Sequence, residues 1–336
     1  MTLACNLVFL SNFIDTNLLM NGITFGVHLP IIRFEGNHTH SRDQILSFAN
    51  MAEKLGYDSL SVSDHVVFSA SWLDAVTTLS AVAGITNKIK LGTSILNIVI
   101  RNPIVSARAL SSIDIISSGR LFAGVGPGSS KKDYDVCGIS YEDRWKRFDE
   151  ALQVLQLLWN TESGEPRLAN FDGIYYKMRN VSTEPQPVQK PHPPILIGSW
   201  GSDAGLKRVA KYGDGWMASA YNITPEKFKE RWKTVLSYRS ASGKDTESFQ
   251  NSMMSMFGYI DNDKDKVHRM VKNILSPGLG RPPEDLESLL LFGSVDHCKN
   301  KIDILRNVGV KRVHFWPISD FNEQIEIFSK EIASNY

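Results

Sequence analysis

Residues 57–128 constrain the fold of this chain more than any other stretch. They contain three short apolar, β-rich runs: YDSLSVSDH, IKLGTSILN and GRLFAGVGPG. Runs of this length and composition read as strands buried on both faces. Helical patterns separate them, over 71–86 and 103–118. The second starts at Asn102-Pro103, a cap residue followed by the proline that suits the first helical position, and Gly119 follows its end. Strand–helix–strand–helix–strand order implies parallel strands, with functional groups collected at their carboxyl ends. Those ends carry Asp64-His65, Ser94-Ile95-Leu96-Asn97 and Gly126-Pro127-Gly128-Ser129.

The alternation continues along the chain. ITFGVHL at 23–29 reads as the first strand, and strands 5 to 8 read at 194–199, 214–218, 252–260 and 311–316. Helices are expected over 42–56, 142–160, 203–212, about 224–240, from 264, 295–308 and 321–333. In the 142–160 helix Trp145, Phe148, Leu152, Leu155 and Trp159 share one face. The expected fold is α/β, a single (β/α)8 TIM barrel over 22–336, with insertions at 161–193 and 276–293. The first insertion holds FDGIYYKM, a short strand or hairpin; the second suits a lid. Residues 1–21 are apolar but lack a basic leader, and read as an N-terminal extension rather than a secretory signal.

Composition excludes several partner classes. The net charge of +1 gives no general attraction to nucleic acid, and no apolar run is long enough to span a bilayer. Cys5, Cys137 and Cys298 are far apart with no zinc spacing, which suits a reducing, cytoplasmic setting. The expected partner is a small-molecule substrate, and a homodimer is left open.

His65, at the mouth after the second strand, suits proton transfer near neutral pH; the alternative is a histidine that only bonds its neighbours. Asp64 equally suits a helix N-terminus. The glycines of 124–128 let a planar ring approach the backbone, or simply make a tight turn, and match neither a Walker nor a Rossmann fingerprint. Gly198-Ser199-Trp200-Gly201-Ser202 precedes a helix, where free N–H groups bind phosphate. Trp216 suits a pocket wall or the core equally. His38-Thr39-His40 resembles a metal-hydrolase pair, but the remaining ligands are missing, and a solvated loop is the better reading; no metal is expected.

Six motifs in order carry a resemblance: LGYDSLSVSDH, IKLGTSI, NPIVSARALSSIDIISSGRLFAGVGPG, RWKRFDEALQVLQLLW, EPQPVQKPHPPILIGS and VAKYGDGW. Over about 23–335 the chain resembles the luciferase-like class of flavin and deazaflavin oxidoreductases. The resemblance implies coenzyme F420 as cofactor, with FMN and oxygen, in a monooxygenase, as the alternative. It implies His65 as catalytic acid or base. It implies cofactor contacts at Asp64, Ser94, Ile95, Asn97, Gly126, Pro127 and Gly128, and at the phosphate loop Gly198, Ser199, Gly201 and Ser202. It also implies a cis peptide at Ser94–Ile95. Three positions depart from the family's sugar-phosphate dehydrogenases: Ser69, Ser129 and Asn222 stand where those have Trp, Glu and Lys. A sugar phosphate is therefore a poor substrate candidate, and a flavin-binding barrel without turnover is a third reading. Lys131 and Lys132 offer charge for an acidic cofactor tail. A chain starting at Met20 is expected to keep fold and cofactor affinity; loss of soluble protein on that truncation would make the extension structural.

Overall fold

The computed structural model describes residues 22–33, 40–159 and 167–336. The extension 1–21 and the His38-Thr39 pair lie outside the described residues. Eight parallel strands form the barrel: β1 Thr24–His28, β2 Ser59–Val62, β3 Lys90–Thr93, β4 Leu121–Gly126, β5 Ile195–Gly198, β6 Gly215–Ser219, β7 Gln250–Ile260 and β8 Arg312–Pro317. They pair in chain order, β8 returns to β1, and β4 pairs with β5 to complete the ring. The order is that expected of the alternating sequence. Every residue of β2 and β4 is buried, because the helices cover the outer face while neighbouring strands fill the inner one.

Inward positions must share a small volume. On β1 a side chain at Gly26 would sit 2.7 Å from the His314 ring. Phe122, Leu196, Met217 and Met254 form an apolar plug, with Ile95 packed against it. Beside the plug runs a buried polar seam. His28 Nδ1 donates to the Leu29 carbonyl at 2.7 Å, so Nε2 accepts from the Ser63 hydroxyl at 3.0 Å. His314 Nδ1 lies 3.1 Å from Ser61 Oγ.

Most helices start where the sequence indicates. Asn102 accepts from Ile104 N–H, and Pro103 opens Pro103–Ile116. Two segments differ from expectation. The 71–86 helix begins only at Ala75, because Asp74 caps it by accepting from Thr77 N–H at 2.8 Å. Ser71-Trp72 instead pair antiparallel with Ile32-Arg33. In the helix Arg144–Trp159 the buried stripe runs from Phe148 to Trp159, whereas Trp145 is largely exposed, with the Arg208 guanidinium 5.0 Å over its ring.

The first insertion carries an antiparallel hairpin, Leu168–Asp172 with Lys177–Ser182. Glu150 pins its turn, its carboxylate accepting from the N–H groups of Ile174, Tyr175 and Tyr176 at 2.9, 2.9 and 3.1 Å. The second insertion is built of helices Ser276–Leu279 and Pro283–Leu289 and a strand, Leu291–Gly293, that pairs parallel with the end of β7. Its Arg281 donates to Asn222 Oδ1 at 2.7 Å, in the loop after β6.

Burial holds His28 down to about 3, against a weaker upward pull from its bond to Leu29, and holds His314 well below its ordinary value. Both rings are therefore neutral in the fold but bind protons once unfolded. Their contribution to stability is present above pH 6.5 and is lost as the pH falls toward their folded values. Each is expected to remove up to about 1.4 kcal/mol per pH unit. Urea midpoints measured from pH 7 to pH 5 should fall accordingly; a flat profile would mean that the seam is solvated.

Candidate active site

At the end of β2 the chain turns outward through Asp64 and His65, and these neighbours take different partners. His65 Nδ1 lies 2.7 Å from Asp133 Oδ2. A carboxylate only accepts, so Nδ1 carries the proton and Nε2 of the neutral ring is left as a base. Asp133 sits in the first turn of the helix Lys131–Val136, with Ser130 as its cap. Its other oxygen accepts from Val66 and Val67 N–H at 3.1 and 2.8 Å, which fixes the backbone beside the histidine. Burial would raise the Asp133 carboxyl, but the His65 and Val67 hydrogen bonds outweigh it and hold the group below the ordinary aspartate range. The Asp133 side chain is 3% exposed and that of His65 23%, so the acid is sealed and the base reachable. Sequence reasoning missed Asp133, although Ser130-x-x-Asp133 is a capping-box spacing.

Aromatic rings wall the histidine. Phe68 and Trp72 lie 5.0 and 4.7 Å from its ring, centre to centre. Trp72 Nε1 donates to the Ser63 carbonyl at 3.2 Å, which ties the wall to the polar seam. Ser69, where the resemblance implies a tryptophan in sugar-phosphate dehydrogenases, is exposed. Here the indole against His65 comes from Trp72 instead.

Asp64 is turned the other way. Its carboxylate accepts from Arg101 Nε and Nη2 at 2.8 and 2.6 Å and from Asn97 N–H at 3.1 Å, and its side chain is fully buried. Arg101 also reaches Asp74 Oδ2 at 2.6 Å. Asp64 thus braces the segment that follows β3. In that segment the Ser94–Ile95 peptide is cis. Ser94 N–H donates to the Val62 carbonyl at 2.7 Å. Asn97 Oδ1 accepts from Val99 and Ile100 N–H at 3.2 and 3.3 Å.

Ile95 lies against the ends of the next two strands, β4 and β5. A Cβ at Gly126 would lie 2.9 Å from its Cδ1, and one at Gly198 would lie 2.8 Å from its Cγ2. Glycine at both places lets Ile95 settle over the ends of β4 and β5, so three strand ends meet at one aliphatic platform. Gly128 has φ +71°, and Pro127 accepts from the Tyr134 hydroxyl, so the turn after β4 is held firmly.

Because β4 and β5 are paired, with Ile197 beside Val125, the loop at 198–202 is next to the glycine run. Ser199 Oγ accepts from Gly201 N–H at 3.2 Å, and Ser202 caps Asp203–Tyr212 by accepting from Gly205 N–H. Trp216 is core: fully buried and stacked on Phe228, it donates from Nε1 to the Ser199 carbonyl at 2.9 Å and so fixes this loop from behind. Lys131 is bound to Asp135 at 2.6 and 2.9 Å, so its charge is matched within its own helix. His40 lies 3.1 Å from Ser71 Oγ, and no cluster of three or more metal-ligating side chains occurs among the described residues.

Residues 23–312 match the family described as luciferase-like monooxygenase. The chain belongs to that family. F420-dependent glucose-6-phosphate dehydrogenase of Amycolatopsis mediterranei is 30% identical over 186 residues, covering 52% of this chain and 53% of that protein. The chain spans about half the length of the curated relatives it matches. Two solved structures share the fold. One is an F420-dependent secondary alcohol dehydrogenase with an F420–acetone adduct, at TM-score 0.79 and 20% identity over 94% of this chain and 99% of that one. The other is a monooxygenase from Streptomyces bottropensis, at TM-score 0.79 and 21% identity over 94% and 100%.

In this luciferase-like chain, His65→Ala is expected to lower turnover by a factor of about 100 to 10,000, with cofactor binding and melting temperature nearly unchanged. Asp133→Asn should lower turnover as well, by removing the anion that fixes the histidine tautomer. Unchanged turnover in both variants would reduce the pair to packing.

Proposed function

We propose that this protein is an F420-dependent oxidoreductase that moves a hydride between the deazaflavin and a small organic substrate. The observation that carries this reading is the His65–Asp133 pair, a fixed base at the same end of the barrel as the platform of Ile95, Gly126 and Gly198. The F420 dependence of the Amycolatopsis relative supports the choice of cofactor. When bound, the cofactor supplies the hydride chemistry. Ile95, Gly126 and Gly198 would hold its ring, and Gly198–Ser202 its phosphate.

The chain's own residues then do three things. His65 Nε2 takes the proton of a substrate hydroxyl, or returns it in the reverse direction. Asp133 stays ionised and stabilises the histidine cation that results. Phe68 and Trp72 exclude water from that proton.

FMN with oxygen is the second reading. The Lys131–Asp135 pair supports keeping it, because a ready cationic exit for an acidic tail is weakened. The deciding experiment is titration of the apoprotein with F420 and with FMN at matched salt, followed by turnover assays without oxygen. F420 is expected to bind more tightly and to support anaerobic turnover. Tighter FMN binding, with oxygen consumed, would place the chain among the monooxygenases. Tight binding without turnover over a broad panel of alcohols and ketones would favour a cofactor-binding barrel.

A further inference from the structure

One buried donor in the mouth of the barrel is unaccounted for. Trp316 is 3% exposed, and among the described residues its Nε1 has no hydrogen-bond partner. An unmet N–H in a buried place is destabilising, and native folds seldom keep one without a reason.

The direction of this indole follows from the pleat of β8. Alternate side chains on a strand share a face. His314 lies inside the barrel, against Ser61, and Arg312 stands over the interior Phe122 ring at 5.9 Å. Trp316 is the next inward position, at the carboxyl end of the strand. One face of it is stacked on His28, with ring centres 3.4 Å apart and planes at 8°. It meets Trp72 edge-on at 6.3 Å, and Phe257 lies 4.5 Å away. Trp72 in turn touches His65. The Trp316 indole therefore joins, through Trp72, the aromatic cluster that walls the base. The ring cannot turn to find another partner, since the His28 stack and the Ser63 bond behind it fix the plane.

We infer that Trp316 is a specificity-determining residue whose Nε1–H donates a hydrogen bond to the oxygen of a small substrate with an apolar body, such as a ketone or secondary alcohol. This deepens the oxidoreductase reading, on which it rests for the identity of the site. The rings of Phe68, Trp72 and Phe257 suit the apolar body, and the indole N–H is the polar group that sets its orientation. A site built to bond an oxygen rejects the analogue that lacks it, because its donor is then left unmet.

The test compares cyclohexanone with methylenecyclohexane, a hydrocarbon of nearly the same shape. Indole 15N–1H spectra of the full chain are recorded during titration with each, and the Trp316→Phe variant assigns the Trp316 signal while keeping an aromatic ring against His28. The expected result is a Trp316 N–H shift with the ketone and none with the hydrocarbon. Trp316→Phe should weaken ketone binding about three- to tenfold and leave hydrocarbon binding unchanged. Absence of the shift, equal weakening for both probes, or failure of the ketone to bind would overturn the inference and assign the donor to water. If Trp316→Phe fails to fold, titration of the native chain, with selective broadening by a spin-labelled cyclohexanone, decides the same question. None of these readouts needs turnover or cofactor, so failure of the F420 reading would show separately, in the cofactor titration.

Discussion

The rest of this structure depends on how little room a closed eight-stranded ring leaves inside it. Each large inward side chain needs a small one across from it. The Phe122 ring occupies the space that a side chain at Gly92 would need, and Met217 does the same at Gly124. Ile95 repeats the arrangement one layer higher, against Gly126 and Gly198. Those glycines serve packing first. The aliphatic platform follows from the same geometry, because the missing side chains let Ile95 settle over the ends of β4 and β5. Packing and binding are therefore set by the same residues, and an alanine at Gly126 or Gly198 would disturb both.

Two carboxylates near the mouth show how burial divides labour. Asp64 and Asp133 are both sealed from solvent. Asp64 is met by a guanidinium through two parallel bonds, which suits a structural brace. Asp133 is met by an imidazole and two backbone N–H groups, which leaves its partner free to take and release a proton. The resemblance assigned a contact role to Asp64 and no role to Asp133. Adjacent positions at the end of a strand point to opposite sides, and one residue of register separates the brace at Asp64 from the proposed base at His65.

Much of the fold was legible because the strands are short, apolar and regularly spaced. Boundaries were less legible. The Ala75 helix start depended on Asp74 outcompeting an apolar pattern that continued through Trp72, and Trp145 kept its periodic place while its ring went to Arg208. At the site, His65 could be read from its position after a strand, and the Ser94–Ile95 geometry from resemblance. Long-range partners could not: Asp133 lies 68 residues beyond His65, and Trp316 lies far later still. Periodicity records which face a residue occupies, and says nothing of which distant side chain shares that face.

The second insertion ends as an additional strand beside β7 and is stitched by Arg281 to the loop after β6. A segment fastened at both its base and its crown is not a free flap. Movement over the mouth would first have to break the Arg281–Asn222 bond, and the hinge would then fall between that bond and the added strand. The same two fastenings make the segment a replaceable module. Its length and side chains can drift between fixed points while the ring beneath keeps its register, so relatives with the same barrel can diverge in what they admit without any change in how they fold.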